Sequence, residues 1–419
     1  MIGTGGREHA LALALSRDPG VREVHVAPGN PGIGAFATLH PVDLMDGAAV
    51  AGLAAQIGAD LVVIGPEAPL VAGVADAVRE LGIAVFGPGK EAALLEGSKA
   101  FSKEVMAAAG VPTAGSRTCS TTAEYEAALD AFGAPYVVKD DELAAGKGVV
   151  VTTDRAEALA HAASCGRVVI EEFLDGPEFS IFVVCDGRTG RPLLPAQDFK
   201  RIHDGGRGPN TGGMGSYAPL TWLPEGTVDR VMSTVVEPTL AEMGRRGTPF
   251  SGCLYVGLAL TADGPRVIEF NVRFGDPDVQ PVLALLDSGL AGLLMAAAQG
   301  RLDQVPPPAF ADGASVTVVL ASAGYPESSS TGDVITGADE AAGHPDVDVV
   351  HAGTGMDGHS RLVTAGGRVL AVRARGTDVA DARAKAYAAA EEIDFDGLQR
   401  RTDIAAEPLG VVEGAAARG

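Results

Sequence analysis

Short apolar runs alternate with stretches of helical spacing from the start of the chain to about Glu96. Glu23–Ala27, Leu61–Gly65 and Ile83–Gly87 have the length and β-branched content of buried strands. His9–Leu15 and Val74–Leu81 carry apolar residues at helical intervals. Strand and helix in alternation predict an open parallel sheet, whose ligands bind at the carboxyl ends of the strands. Those ends are rich in glycine: Gly3–Arg7, Pro28–Gly32, Gly65–Glu67 and Gly87–Gly89. Only Met1 and Ile2 precede the first such loop, whereas a buried strand usually runs about five residues. Either the first strand is a stub or its start is misassigned or trimmed.

The pattern changes beyond this unit. Ser98–Gly110 reads as one helix, with Ser98 to cap it, Gly110 to end it and Pro112 following. Pro135–Lys139 and Gly148–Val151 read as strands around a loop containing Gly146 and Lys147. Val168–Ile170 and Phe179–Val184 read as strands around the hinge Glu171–Glu178. Gln197–Arg201 and Gly208–Gly215 form a polar segment, either a functional loop or a disordered connector. Ala314–Ala321, Val347–Ala352, Gly367–Arg373 and a helix over Val379–Glu392 predict a small α/β unit. The expected division is 1–96, 97–319 with a mobile lid over about 113–184, and 320–419.

One strand carries chemistry. In Arg266–Asp278 the apolar residues Val267, Ile268, Phe270 and Val272 suit a strand, and Gly275-Asp276-Pro277 ends it. A period of two sends Glu269, Asn271 and Arg273 to one face. Glu269 and Asn271 offer the hard oxygen ligands that suit Mg²⁺ shared with phosphates. Arg273 can then stabilise a phosphoryl group in transfer.

Composition narrows the classes. The chain has 419 residues, 46% of them hydrophobic and 5% aromatic, which fits a multi-domain α/β enzyme. A net charge of −22 argues against non-specific binding to nucleic acid or membrane surfaces. An anionic substrate must therefore meet locally gathered cations and backbone N–H groups. Cys119, Cys165, Cys185 and Cys253 are scattered, as expected of a protein in a reducing cytoplasm without structural zinc. No signal peptide is visible, and no apolar run reaches the roughly 18 residues of a membrane span.

The first loop is not a dinucleotide fingerprint. Glu8 stands where G-x-G-x-x-G needs its third glycine, and the second strand ends in Ala27-Pro28-Gly29-Asn30 without the acid that holds a ribose. A phosphate cradle of helix N-terminal N–H groups with Arg7 beside it fits better. Lys139 and Gly146-Lys147-Gly148 can hold a triphosphate, although no Walker loop is present. The hinge after Val168–Ile170 can hydrogen-bond an adenine, with Glu178 near the ribose. Taken singly, Lys99 reads as a solvated surface lysine and Glu171-Glu172 as a solvated pair.

Together these elements look like an ATP-grasp enzyme: Lys99, then Lys139 with Gly146-Lys147-Gly148, then Glu171-Glu172-Phe173-Leu174, then Glu269-Phe270-Asn271-x-Arg273. More specifically, the chain resembles the phosphoribosylamine–glycine ligase (glycinamide ribonucleotide synthetase) family. The motifs are Gly5–Ala10, Ala27–Asn30, Gly65–Val71, Leu95–Phe101, Gly208–Gly215, Arg273–Pro277, His351–Thr354 and Gly366–Leu370, in family order across nearly the whole chain. The resemblance implies three units: an N-terminal open parallel-sheet (pre-ATP-grasp) domain, an ATP-grasp domain with a mobile lid, and a small C-terminal α/β domain. It implies that ATP phosphorylates glycine and that 5-phosphoribosylamine then attacks the glycyl phosphate.

Site residues follow from the same resemblance. Lys99, Lys139, Gly146, Lys147, Gly148, Glu171, Phe173, Leu174 and Glu178 would bind ATP. Glu269 and Asn271 would hold Mg²⁺ or Mn²⁺, and Arg273, Lys139 and Asp276 would be catalytic. Gly5, Gly6, Arg7, Gly29, Asn30, Glu67, Asn210, Thr211, Gly212, Gly213 and Asp276 would meet the substrates, with Asp276 near the glycine amine. The protein would be cytoplasmic, a monomer or weak homodimer, with no nucleic-acid or membrane partner.

Four places depart from the family pattern, the first being the short amino terminus. Glu142 stands where glycine is usual, Phe199 where histidine is common, and Asp278-Val279 where Glu-Thr is usual. Beside Asp140 and Asp141, Glu142 either repels the triphosphate and strains a backbone suited to glycine, or points to water or binds Mg²⁺ at no cost. The rival readings are a paralogue joining another amino acid to another amine, and a non-catalytic nucleotide-binding homologue.

Overall fold

The computed structural model describes residues 1–143 and 148–406. Its first sheet is parallel. His25–Pro28 lies between Ile2–Gly3 and Thr38–Leu39, and Leu61–Val63 pairs with Ala84–Phe86. Ile2 bridges Ile64 and joins the two pieces. The first strand is thus two residues long and sits at the centre of the sheet. Helices Gly6–Ser16, Gly47–Ile57 and Val74–Glu80 cover it: Val50, Val74 and Val78 share a core with Val62 and Val85, Leu11 with Val63 and Phe86, and Ala12 with Val26. Glu8 closes a capping box on the Gly5 N–H and is almost fully buried. Only glycine fits over its carboxylate at position 65, where a Cβ would come within 2.0 Å of Glu8 Oε1.

The helix Lys99–Ala109 begins and ends as its sequence predicts. Ser98 Oγ accepts from Phe101 N at 3.1 Å, and Gly110 adopts φ +68°. Two antiparallel sheets follow. A four-stranded sheet runs in the order Ser116–Cys119, Val168–Glu171, Tyr136–Asp140, Val149–Thr152. Helices Thr122–Phe132 and Arg155–Cys165 back it, with a core of its own around Tyr125, Leu129, Val138 and Ile170. The other sheet runs Gly190–Pro192, Glu178–Asp186, Ser251–Thr261, Gly264–Asn271.

A third antiparallel sheet orders Gln197–Asp198, Gly215–Ala218, Ala314–Ala321, Arg368–Gly376 and Val347–His351. The helix Val379–Ala390 packs on it. The strand Ala314–Ala321 crosses the expected division at 319/320, because it pairs with Gly215–Ala218 on one side and Arg368–Gly376 on the other. The polar segment is not a structureless connector. Arg201–His203 and Arg207–Asn210 form a hairpin, and Thr211 Oγ1 donates to Lys200 O at 2.7 Å. No helix among the described residues is long and apolar enough to cross a membrane.

Candidate functional site

The strand Gly264–Asn271 forms one wall of two joined cavities. A register shift beside Glu269 interrupts its alternation, so Ile268 lines both cavities although Val267 is fully buried. Glu269, Asn271 and Arg273 nevertheless lie together on the first cavity, of about 300 Å³. Asn271 Oδ1 accepts from Arg273 at 3.1 Å, and Asn271 Nδ2 lies 3.4 Å from Glu269 Oε1. Burial pushes the Glu269 carboxyl up, but Lys139, Lys200 and Lys99 outweigh it and hold the group below its ordinary range. An ionised carboxylate and an amide oxygen on one wall suit a hard divalent cation.

Two layers of lysine face this strand. Lys139 Nζ donates to Ile268 O at 2.8 Å and meets Glu171 at 3.0 Å. Lys103 reaches the same carboxylate at 3.2 Å and also donates to Thr113 Oγ1 at 2.9 Å. Burial draws the Lys103 ammonium down to about 8, against the pull of Glu171. Lys99 Nζ donates to Glu142 O at 3.2 Å and lines the cavity. Lys200 bridges Asp198 at 3.4 Å and Glu178 at 2.9 Å.

Acids and arginines hold the far end. Arg273 pairs with Glu67 at 3.3 Å and Glu96 at 3.1 Å. Arg7 adds Glu8 at 2.6 Å and reaches Glu67 at 3.9 Å. Asp276 has both carboxylate oxygens occupied: Gln280 Nε2 donates to one at 2.8 Å and Arg368 to the other at 3.1 Å. The same Arg368 donates to Gly212 O and to Asp276 O.

The second cavity, of about 500 Å³, opens between the two antiparallel sheets. Val137, Val149, Val151 and Ile268 give it apolar walls, and Glu171, Phe173, Leu174 and Glu178 form its hinge side. It is large and apolar enough for a purine base. Lys139, Glu171, Asp198, Lys200, Thr211 and Glu269 line both cavities, so a bound base leads directly to the lysines.

Most expected residues converge here, and some do not. Lys99, Lys139, Gly148, Glu171, Arg7, Glu67, Thr211, Gly212, Glu269, Asn271, Arg273 and Asp276 line the first cavity. Phe173, Leu174, Glu178 and Asn210 line the second. Gly213 packs on Pro277, one residue beyond the wall. Gly146 and Lys147 fall outside the described residues. Gly5 and Gly6 sit beside Asp276 and Gln280 without lining the cavity, since a Cβ on Gly6 would lie 2.9 Å from Gln280 Nε2. Gly29 and Asn30 also stand off the cavity. The Asn30 amide is consumed by the fold: Nδ2 donates to Thr4 O at 2.8 Å and His351 O at 3.0 Å, and Oδ1 accepts from Ile33 N.

The expectations for Glu142 change. Its φ is not positive, so no glycine-like backbone is strained. Its neighbour Asp141 is turned away from the cavity, accepting from Ala100 N at 2.7 Å and Ser98 Oγ at 3.1 Å and pairing with Arg167. The three acids therefore do not form one repulsive patch. Phe199 is a core residue, buried against Tyr217 and under the Arg401 guanidinium at 5.1 Å. Glu96, Lys103, Asp198, Lys200, Asp278 and Arg368 also line the first cavity, and none was among the expected site residues. Lys103 was within reach, because it lies one helical turn after Lys99.

Two sheets that enclose a base-sized cavity, with lysines on one and a Glu–Asn–Arg row on the other, define an ATP-grasp enzyme. Models of the phosphoribosylglycinamide synthetase N, ATP-grasp and C domains match residues 1–96, 97–279 and 315–407. The phosphoribosylamine–glycine ligase of Streptomyces coelicolor is 62% identical over 98% of this chain and 99% of its own length. That of Leifsonia xyli is 57% identical over 97% and 99%. The crystal structure of the Thermotoga maritima enzyme superposes with a TM-score of 0.84 at 35% identity, covering 96% of this chain and 99% of its own. A biotin carboxylase of Campylobacter jejuni shares the fold alone, with a TM-score of 0.72 at 16% identity over 95% and 92%. The chain belongs to the phosphoribosylglycinamide synthetase family.

Proposed function

We propose that the protein joins glycine to 5-phosphoribosylamine at the expense of ATP, giving glycinamide ribonucleotide, ADP and phosphate in purine synthesis. The observation that carries this reading is the row Glu269–Asn271–Arg273, set opposite Lys99 and Lys139 on one cavity that continues into an apolar pocket.

The base enters the second cavity against Phe173 and Leu174, and Glu178 and Lys200 meet the ribose. The triphosphate then lies along Lys139 and Lys99, with Gly148 beside it. Glu269 and Asn271 would hold Mg²⁺ or Mn²⁺, which would supply charge neutralisation for the phosphates. Arg273 is kept in place by Glu67 and Glu96 and stabilises the phosphoryl group as it passes to the glycine carboxylate. The amine of 5-phosphoribosylamine attacks the resulting acyl phosphate, C–N bond formation expels phosphate, and the nitrogen loses a proton. In this reading Arg7 and the Thr211–Gly213 loop hold the phosphoribosyl group, which the lining of the first cavity by Arg7, Thr211 and Gly212 supports.

We further infer a cytoplasmic protein, monomeric or weakly dimeric, organised as three units, the last beginning at the strand Ala314–Ala321 rather than within it, with residues from about 113 to 184 closing as a lid. The test is release of ADP with a panel of amino acids, with and without phosphoribosylamine. Release should require both glycine and phosphoribosylamine. Turnover with another amine, and none with this pair, would overturn the reading.

A further inference from the structure

The ammonium group of an amino-acid substrate needs an anion, and the carboxylates around the first cavity are not equally free to provide one. Among the described residues, every acid on that wall except Glu269 and Asp278 has a cationic side chain within 4 Å. Glu269 belongs with Asn271. Asp276 already has Arg368 on one oxygen and Gln280 on the other. Asp278 is left without a cation.

Its surroundings are built to hold an anion in place without neutralising it. Asp278 Oδ1 accepts from Ser180 Oγ at 3.3 Å, and Tyr255 OH stands at 3.5 Å. Ser180 Oγ and Tyr255 OH are themselves joined at 2.6 Å. Both donors are neutral. No cationic side chain among the described residues lies within 4 Å of its carboxylate, and Asp278 lines the cavity although the residue as a whole is 4% exposed. A buried carboxylate on the wall of a substrate cavity, held by neutral hydroxyls and with no cation beside it, is under strong pressure to acquire a positive partner.

We propose that Asp278 is the counter-ion for the ammonium group of the amino-acid substrate, leaving Asp276 to position Arg368 and the Gly212–Gly213 loop. This rests on the glycine-ligase reading above and adds to it the residue that recognises a free amino acid. The charged and titratable groups facing Asp278 are Asp198, Lys200, Arg273, Arg368 and Tyr255. Burial, and then Asp198, raise its carboxyl to about 7, against the pull of Lys200 and Arg273. Without substrate burial favours the protonated form of this carboxyl, and an arriving ammonium drives the proton off.

The experiment is calorimetric titration of glycine into the whole protein, saturated with Mg²⁺ and a non-hydrolysable ATP analogue. It is run near pH 6 and near pH 8, in buffers of different ionisation enthalpy. The wild type should bind about ten-fold more weakly near pH 6 than near pH 8, with proton release on binding. Asp278→Asn should weaken glycine by about thirty-fold near pH 8 and abolish the pH dependence, leaving the affinity for the analogue unchanged. Asp278→Glu keeps the charge and must retain proton release, which decides the matter should the Asn variant melt early. Unaltered glycine affinity in Asp278→Asn overturns the proposal, as does loss of glycine binding in Asp276→Asn alone. A wild type that turns over glycine while Asp278→Asn keeps its KM sinks this assignment and leaves the function standing. A wild type that neither binds nor uses glycine sinks both.

Discussion

Glu171→Gln removes one carboxylate and leaves two buried ammonium groups facing each other. The wild-type contacts are 3.2 Å to Lys103 and 3.0 Å to Lys139, and the Glu171 side chain is only 3% exposed. At an effective dielectric of about 20, each contact carries roughly 5 kcal/mol of gross attraction, most of it offset by desolvation. Removing one partner of such a buried pair typically costs about 3–5 kcal/mol. Lys103 limits the loss. Its ammonium already titrates at about 8, so near pH 7 it can shed its proton for about 1.4 kcal/mol. The variant should therefore lose about 3 kcal/mol, the lower end of that range.

The loss falls on the lobe that carries Glu171 and Lys139, so its melting should drop by roughly 10 °C or more in differential scanning fluorimetry. The sign of the pH dependence is fixed. In the wild type, Lys103 binds fewer protons folded than unfolded between about 8 and its ordinary value, and stability rises with pH in that window. In the variant the window opens at lower pH, so the deficit should shrink as pH rises from 6 towards 8. A triphosphate supplies the missing negative charge, so an ATP analogue should raise the variant's melting temperature more than the wild type's. Equal melting at pH 7, or a deficit that widens towards pH 8, would refute the reasoning.

Two further outcomes follow from the same cavity. Glu269→Gln and Asn271→Ala should each cut glycine-dependent ADP release by roughly a hundred- to a thousand-fold, with melting changed by no more than a few degrees. Near-normal turnover across a Mg²⁺ titration in both variants would remove the metal assignment. Glu142→Gly and Glu142→Gln should bind ATP within about two-fold of the wild type, because the side chain is exposed and its backbone unstrained. Ten-fold tighter binding by equilibrium fluorescence in either variant would restore the repulsion argument.

What the sequence made legible was local. Ser98 and Gly110 bound their helix because caps act within a turn or two, and Glu269, Asn271 and Arg273 share a wall because a strand's period is local too. Even there, the shift beside Glu269 brought Ile268 into the cavity, since a bulge depends on the neighbouring strand. Partnerships across the chain were not legible. Nothing in Asn30 announces that its amide ties Thr4 to His351, or in Asp141 that it caps a helix some forty residues earlier. Arg368 reaches Asp276 and Gly212 from 92 and 156 residues further along the chain. Phe199 reads as a departure in a polar motif until Tyr217 and Arg401 are seen to enclose it.

The strand Gly215–Ala218 finds its inner neighbour, Ala314–Ala321, roughly a hundred residues later in the chain. On a ribosome adding about 5–20 residues per second, that partner arrives some 5–20 s afterwards. During the interval Gly215–Ala218 has an open edge, and the loop that will line the active site hangs from it. Such an edge invites pairing with a neighbouring nascent chain. Synthesis rate and chaperone supply, which leave no mark on the finished enzyme, should therefore govern how much of it is made soluble.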